Sequence, residues 1–400
     1  MARNPFIVQR PIKYGEPFCD RRKELERLEG AAERSEAVCI LSIRRFGKTS
    51  LTNQLLGRLE AKGWLTMRLD LSRCYSIDSL TGEFERGLYS LEGAWSRLKD
   101  TIKGATRLRP QLTLDPATSQ PALSFDFSGP ADEMEGLKAA LSKIVSLPER
   151  AGPGVRLCLV LDEFQNVRRI DPKGRIEWLM RSIFQERGSS FVPIFLGSER
   201  HLLQMMIHEE SSAFFKSVTP MGIEILPESE VVEFVGTQFA STIEIEPPEP
   251  RIKGIYRIFG GHPFAINWFW SELWSLEERS GRTEPLDTWI EIAVRIILNQ
   301  RDYYEALNSR LSLGARRVLH AIAAHEPVKR VFSGDFMIKV CRMSQGSLQS
   351  AIKTLTQEDK IRRTRKGYII NDPLERLVIA VSDLDDEQLT RFVQERIEQA

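Results

Sequence analysis

Apolar and polar positions run along this chain in two rhythms. After a proline-bearing extended lead, residues from about 21 to 34 carry charged and apolar side chains at helical spacing. From Ala37 the pattern changes. Val38-Cys39-Ile40-Leu41 is a short, wholly apolar run of the kind buried on both faces of a sheet. A Gly-Lys turn follows it, then a helix predicted over 49–61. Further buried-type strands are predicted at 65–71, 157–161, 191–196 and 222–226, with helical patterns between them, as βαβ units and a parallel sheet require. A stretch rich in Pro, Thr and Ser, 103–130, interrupts the alternation and reads as an insertion with a strand near 123–127.

Beyond Pro227 the strands stop. Helices are predicted at 228–241 and 286–311, on either side of a Gly260-Gly261-His262-Pro263 break, so a helical second domain follows the α/β part. The pattern then becomes helix (314–324), helix (333–340), helix (344–359) and a β-hairpin with Lys366-Gly367 at its turn. Three short helices and a two-stranded wing are the order of a winged helix-turn-helix. The expected organisation is an α/β core with its lead over 1–226, a helical lid over 227–312, a winged helix over 313–379 and a tail helix over 380–400. No internal repeat points to a solenoid or propeller.

Composition narrows this picture. Lys and Arg total 56 against 55 Asp and Glu, for a formal charge of +1, so any nucleic-acid surface must be a local patch. The five cysteines are far apart, with no CxxC pair and no His at zinc-ligand spacing beside them, which predicts a reduced cytoplasmic protein without a structural metal. The lead lacks the apolar core of a signal peptide. The longest apolar stretch, 264–274, is broken by Asn267, Ser271 and Glu272, well short of the ~18–20 residues that span a bilayer. No membrane partner is expected.

The chemistry concentrates at two places. Ser42-Ile43-Arg44-Arg45-Phe46-Gly47-Lys48-Thr49 has P-loop spacing between a buried strand and a helix, with Ser42 where the first glycine usually stands. Backbone N–H groups from Arg45 to Ser50 suit polyanionic phosphate, Lys48 can reach the β- and γ-phosphates, and the Thr49 hydroxyl suits Mg²⁺. Gly47 lets backbone approach phosphate without a Cβ in the way. The second place is Leu157-Cys158-Leu159-Val160-Leu161-Asp162-Glu163, an apolar strand ending in a carboxylate pair. Asp162 is expected in the Mg²⁺ shell and Glu163 to polarise attacking water. More than a hundred residues separate the motifs. That leaves room for a strand between the two motif strands, a hydrolytic AAA+-like arrangement rather than a small-molecule kinase.

In order along the chain stand Asn4-Pro5-Phe6, Phe18-x-x-Arg21-x-x-Glu24-Leu25, the P-loop through Leu51, Asp162-Glu163-Phe164-Gln165, Gly197-Ser198, Gly260-Gly261-His262-Pro263 and Asp372-Pro373-Leu374. Over roughly 4–378 this set resembles the archaeal/prokaryotic ATPase group of the STAND P-loop NTPases, relatives of the AAA+ origin-recognition initiators. The resemblance implies a P-loop core, a helical lid and a winged helix, with ATP or ADP and Mg²⁺ bound. It implies that Phe18 and Arg21 line the adenine side, that Ser198 senses the γ-phosphate, and that Gly261, His262 and Pro263 couple the base to the lid. The chain has Phe18-Cys19-Asp20-Arg21 where the group often has FxGR. It has Lys216 where an arginine often precedes the fifth strand, a poorer clamp on phosphate. Arg200 is another candidate finger. Slow, partner-dependent turnover is expected.

The wing, Lys360-Ile361-Arg362-Arg363-Thr364-Arg365-Lys366, holds five basic residues in seven. Lys360, Arg362, Arg363, Arg365 and Lys366 can meet the phosphates of double-stranded DNA while the third helix enters the major groove. The same hairpin equally suits solvent or a protein contact. Two readings of function result. One is an ATP-hydrolysing switch that changes how the winged helix is presented to DNA or to a protein partner encoded nearby, in a defence, mobile-element or replication-type role. Its arginine could come from a neighbouring copy in a homo-oligomer. The other is a nucleotide-gated DNA-binding regulator or scaffold that does not hydrolyse ATP. No carboxylate–lysine cluster of nuclease type stands outside the P-loop set.

Overall fold

A computed structural model describes residues 2–19, 21–91, 110–114, 121–125, 132–186 and 188–399. Helix α1 (Arg22–Glu33) leads into strand β1 (Val38–Leu41), and the P-loop joins β1 to α2 (Lys48–Ala61). Strand β2 (Leu65–Asp70) and α3 (Ile77–Ser90) follow. A separate antiparallel pair, β3 (Pro110–Leu114) and β4 (Pro121–Phe125), lies in the insertion. The strand expected near 123–127 is therefore β4, and its last two positions lie outside the described residues. Helix α4 (Glu133–Val145) returns to β5 (Leu157–Asp162), then α5 (Arg175–Gln185), β6 (Phe191–Gly197), α6 (Arg200–His208) and β7 (Thr219–Gly222).

The five strands β1, β2, β5, β6 and β7 form one parallel sheet in the order β2-β5-β6-β1-β7. Strand β6 stands between the P-loop strand and the strand ending in Asp162, as the spacing of the motifs predicts. Period two divides the side chains between two cores. Cys39, Leu41, Leu157, Leu159 and Leu161 face α3, α4 and α5, whereas Val38, Ile40, Cys158 and Val160 face α1 and α2.

The fifth strand is displaced from the sequence expectation. Thr219–Gly222, not 222–226, pairs with Val38–Leu41. The apolar run after Gly222 misleads because it leaves the sheet to join the lid, where the Leu226 N–H donates to the Gly261 carbonyl at 3.0 Å. Pro220 is tolerated because β7 is an edge strand, where a missing N–H costs no ladder bond.

The lid comprises α7 (Glu228–Ile243), α8 (Glu249–Phe259), α9 (Pro263–Ser280) and α10 (Leu286–Asn308). Its core holds Phe239, Phe259, Phe269, Trp270 and Trp289, so the aromatic run after the Gly-Gly-His-Pro turn is packing material. The winged helix follows: α11 (Leu313–His325), a π-helical turn (Asp335–Val340), α12 (Gln345–Gln357), and the hairpin of β8 (Ile361–Thr364) with β9 (Gly367–Ile370). Helix α13 (Pro373–Ala380) closes it. Helix α14 (Asp386–Glu398) is no free tail. Leu389, Val393 and Ile397, spaced four apart, bury into the lid core. Among the described residues no helix is long and apolar enough to cross a membrane.

Candidate functional site

The P-loop leaves β1 at its C-terminal end and turns sharply into α2. Two residues make the turn with positive φ, Arg45 at 65° and Gly47 at 85°. Gly47 adopts this without penalty, while a left-handed arginine costs about 1–2 kcal/mol, strain that the surroundings must hold. They do. The Arg45 guanidinium lies 4.4 Å from the Phe264 ring centroid and 4.9 Å from that of Tyr303, and its Nη1 donates to Gln300 Oε1 at 3.1 Å. The loop is thus pinned to α9 and α10 of the lid.

Lys48 is 6% exposed and turns back on its own loop, its Nζ donating to the carbonyls of Ser42 (3.0 Å) and Ile43 (2.9 Å). Burial pushes this ammonium down to about 8, against the pull of Glu163 and Asp162. The two motifs meet where Thr49 Oγ1 donates to Asp162 Oδ2 at 3.0 Å. Burial raises the Asp162 carboxyl and the Thr49 bond partly offsets this. Arg68, on the neighbouring β2, stands 3.5 Å from the same oxygen.

Glu163 takes a left-handed backbone, φ 53°, at the end of β5. Its Oε2 accepts from the Ser198 hydroxyl at 2.8 Å, from the Ser198 N–H at 3.3 Å and from Gln165 Nε2. Ser198 therefore holds Glu163. Gly197 makes the arrangement possible: a Cβ there would stand 2.1 Å from Gln165 Oε1. Gln165 is a further site residue, and its position two residues past Glu163 is the sequence signal for it.

A cleft of about 410 Å³ runs from these groups to the lid. Its polar end is the loop from Arg44 to Ser50 with Asp162 and Glu163, and its apolar end is formed by Ile7, Val8, Phe18, Leu226, Pro263 and Phe264. The lead makes one wall because it is tied at both ends. Asn4 Nδ2 donates to the Ser271 carbonyl (2.9 Å) on α9, and the Ile12 N–H donates to Ser50 Oγ (3.0 Å) on α2. Ile7 and Val8 could not be read from the sequence, since a short irregular lead has no period.

Of the other expected site residues some line this cleft and some do not. Arg21 is buried, with Nη1 on the Glu224 carbonyl (2.8 Å) and Nη2 on the Phe46 carbonyl (3.4 Å), so it braces the loop. Of the lid turn, Pro263 lines the cleft; His262 is fully buried, edge to face with Phe46 at 5.1 Å. Its Nδ1 accepts from the Ala265 N–H and its Nε2 faces Asp372 Oδ1 at 3.6 Å. Burial lowers the imidazole's pKa while Asp372 opposes this. Gly261 supplies the carbonyl that holds Leu226. The Arg200 N–H donates to Asp359 Oδ2 at 2.9 Å. Lys216 is exposed on the connection entering β7. Parallel pairing of Thr219 with Val38 puts that connection at the end of the sheet opposite the P-loop.

The wing's basic residues divide. Lys360 is 7% exposed and its Nζ donates to Glu375 Oε1 at 2.6 Å, a pair internal to the winged helix. Arg362 pairs with Glu224 of the ATPase body at 3.1 Å. Arg363, Arg365 and Lys366 are exposed. The winged helix thus lies against the core through Asp359 and Arg362 and against the lid through Asp372.

Comparison with known proteins agrees with this architecture. Residues 18–269 match the family of ATPase domains predominantly from Archaea, and residues 302–380 match a winged helix domain family. No match is found among curated proteins. The fold is similar to that of a Walker-type ATPase of Pyrococcus abyssi, at 18% identity and a TM-score of 0.65, covering 93% of this chain and 99% of that one. It is also similar to the Aeropyrum pernix ORC2 protein in ADPNP–ADP complexes, at 13% identity and a TM-score of 0.57, covering 100% and 99%. At these identities the likeness is one of fold.

Proposed function

This chain belongs to the family of ATPase domains predominantly from Archaea, and we propose on that premise that it is an ATP-dependent switch of STAND type. It binds ATP and Mg²⁺ in the cleft, hydrolyses ATP slowly, and sets by its nucleotide state how the winged helix meets double-stranded DNA or a partner protein. The carrying observation is the meeting of Thr49, Asp162 and Glu163 at the mouth of the P-loop, with the winged helix lying against the same body.

The residues fit the chemistry. Asp162 and the Thr49 hydroxyl are hard oxygen donors side by side, suited to hold Mg²⁺, which would neutralise phosphate charge when bound. Lys48 has two loop carbonyls to leave for phosphate oxygens, and the buried ammonium is better matched by that anion than by carbonyl dipoles. Glu163 is the base that orients water, and Ser198 keeps its carboxylate aimed. Phe18 and the lead receive the base. On the wing, Arg363, Arg365 and Lys366 are the residues offered to DNA phosphate, while Arg362 must first leave Glu224.

One observation favours the second reading, a regulator that binds nucleotide without turning it over. Neither Arg200 nor Lys216 lines the cleft among the described residues. Hydrolysis would then need a cation from a neighbouring copy or a partner.

Phosphate release, measured with and without duplex DNA, tests the proposal. Glu163→Gln should keep ATP binding and lose turnover, and Lys48→Ala should lose binding. Absent turnover in the wild type under both conditions, with Glu163→Gln unchanged, would leave the non-hydrolysing regulator.

A further inference from the structure

At its apolar end the cleft carries one polar group from the lid, the carboxamide of Asn267. It lies on α9, one turn beyond Pro263 and one turn before Ser271. Its place relative to the lead is fixed by the two ties already described. The lead is held on α9 at Ser271 and on α2 at Ser50, and it crosses between them as Ile7, Val8 and Pro11. Asn267 thus lines the cleft together with the start of its own helix and with the crossing lead. With phosphates at the P-loop, the side made by the lead and the lid is left for the base.

Half-exposed carboxamides on a helix usually meet water. This one differs in its surroundings. Ile7, Val8, Phe18, Leu226 and Pro263 line the cleft with it; of the polar residues the lead adds, Gln9 and Arg10, the Arg10 guanidinium is held by Glu16, and neither amide atom of Asn267 has a hydrogen-bond partner among the described residues. Asn4, on the facing lead, is by contrast fully engaged with Ser271 and Ser275. A carboxamide in an apolar slot is a donor and an acceptor awaiting a planar ligand with the complementary pair.

We propose that Asn267 is the base-reading residue of this site and selects adenine over guanine. Its Nδ2 donates to N7 of the purine, and its Oδ1 accepts from the exocyclic N6 amino group. This is the pairing by which asparagine distinguishes adenine, because guanine offers two acceptors, N7 and O6, on that edge. The carboxamide oxygen would face O6 without a proton between them. The inference rests on the reading of the cleft as a nucleotide site and adds the identity of the base.

The test is calorimetric titration of the full chain with ATP, GTP and 7-deaza-ATP, which lacks the N7 acceptor. The wild type should prefer ATP to GTP by roughly ten- to a hundredfold, the span expected of one bidentate contact. It should also bind 7-deaza-ATP more weakly than ATP. Asn267→Ala should lose affinity for ATP, bring GTP and ATP close to parity, and bind ATP and 7-deaza-ATP equally. Asn267→Lys, which can only donate, should shift preference toward GTP. A wild type that binds no nucleotide overturns the site itself. If the wild type prefers ATP and Asn267→Ala keeps both that preference and the 7-deaza penalty, the site stands and the assignment of Asn267 falls.

Discussion

Asp372→Ala tests the joint between winged helix and lid. One carboxylate does three things there. Its Oδ1 accepts from the Leu374 N–H (2.9 Å) and the Glu375 N–H (3.4 Å), capping α13. Its Oδ2 accepts from the Tyr304 hydroxyl of α10 at 2.6 Å, and Oδ1 also faces His262. Loss of the cap costs about 0.5–2 kcal/mol. The buried Tyr304 hydroxyl, left without an acceptor, costs about 1–3 kcal/mol more. Together these give about 1.5–5 kcal/mol, lost from the contact between α10 and α13. Asp372→Asn keeps an acceptor and a competent cap, so it should lose less than about 1 kcal/mol. Hydrogen exchange over 361–380 is the assay, since it reads local opening free energy amide by amide. Tyr304→Phe combined with Asp372→Ala should cost less than the sum of the two. The reasoning fails if Asp372→Asn opens this region as much as Asp372→Ala, or if alanine leaves its protection unchanged.

Three further outcomes follow from other contacts. Glu277 is buried in the lid, and burial raises its carboxyl to about 7 from an ordinary 4.5. A carboxyl raised on folding contributes stability fully below pH 4.5 and loses it as pH climbs through about 7. Melting should therefore weaken over that window, and Glu277→Gln, measured by the same pH series, should remove the dependence and stabilise at pH 8 by on the order of 1–3 kcal/mol. Gly197→Ala puts a Cβ against Gln165 Oε1 and Leu203 Cδ1, so it should cost about 1–3 kcal/mol in denaturant unfolding and slow any ATP turnover by displacing Gln165 from Glu163. Glu224→Ala frees Arg362 from a mostly exposed ion pair, a change worth at most about 1 kcal/mol. It should leave thermal stability nearly unchanged and, on the proposed function, raise DNA affinity severalfold at low salt.

What was legible in the sequence follows local rules. The motif strands, the P-loop and the carboxylate pair were readable because buried strands are continuous apolar runs and phosphate chemistry needs fixed spacing. The displacement of β7 shows the limit. Five residues after Met221 look like a strand, but pairing with Val38–Leu41 uses the four that include Pro220, and only the sheet's register decides. Lys360 shows another. In sequence it is one of five basic residues, and only the fold brings Glu375 within 2.6 Å of it. His262 was readable as part of a lid motif, yet its partners Phe46 and Asp372 are brought to it by separate elements. Long-range pairing leaves no mark on spacing.

The two ties of the lead have a consequence for the order in which the molecule can be made. Asn4 finds its acceptors at Ser271 and Ser275, more than 260 residues later in the chain. A ribosome delivers the P-loop and its strand early. The wall that the lead makes, however, cannot close until α9 has emerged. Asp372, whose carboxylate backs His262 and Tyr304, comes later still, and α14, which fills the lid core, later again. A nascent chain that has folded its sheet thus has its P-loop turn before it has a complete cleft. Arrival of these later elements, rather than folding of the core, finishes the cleft.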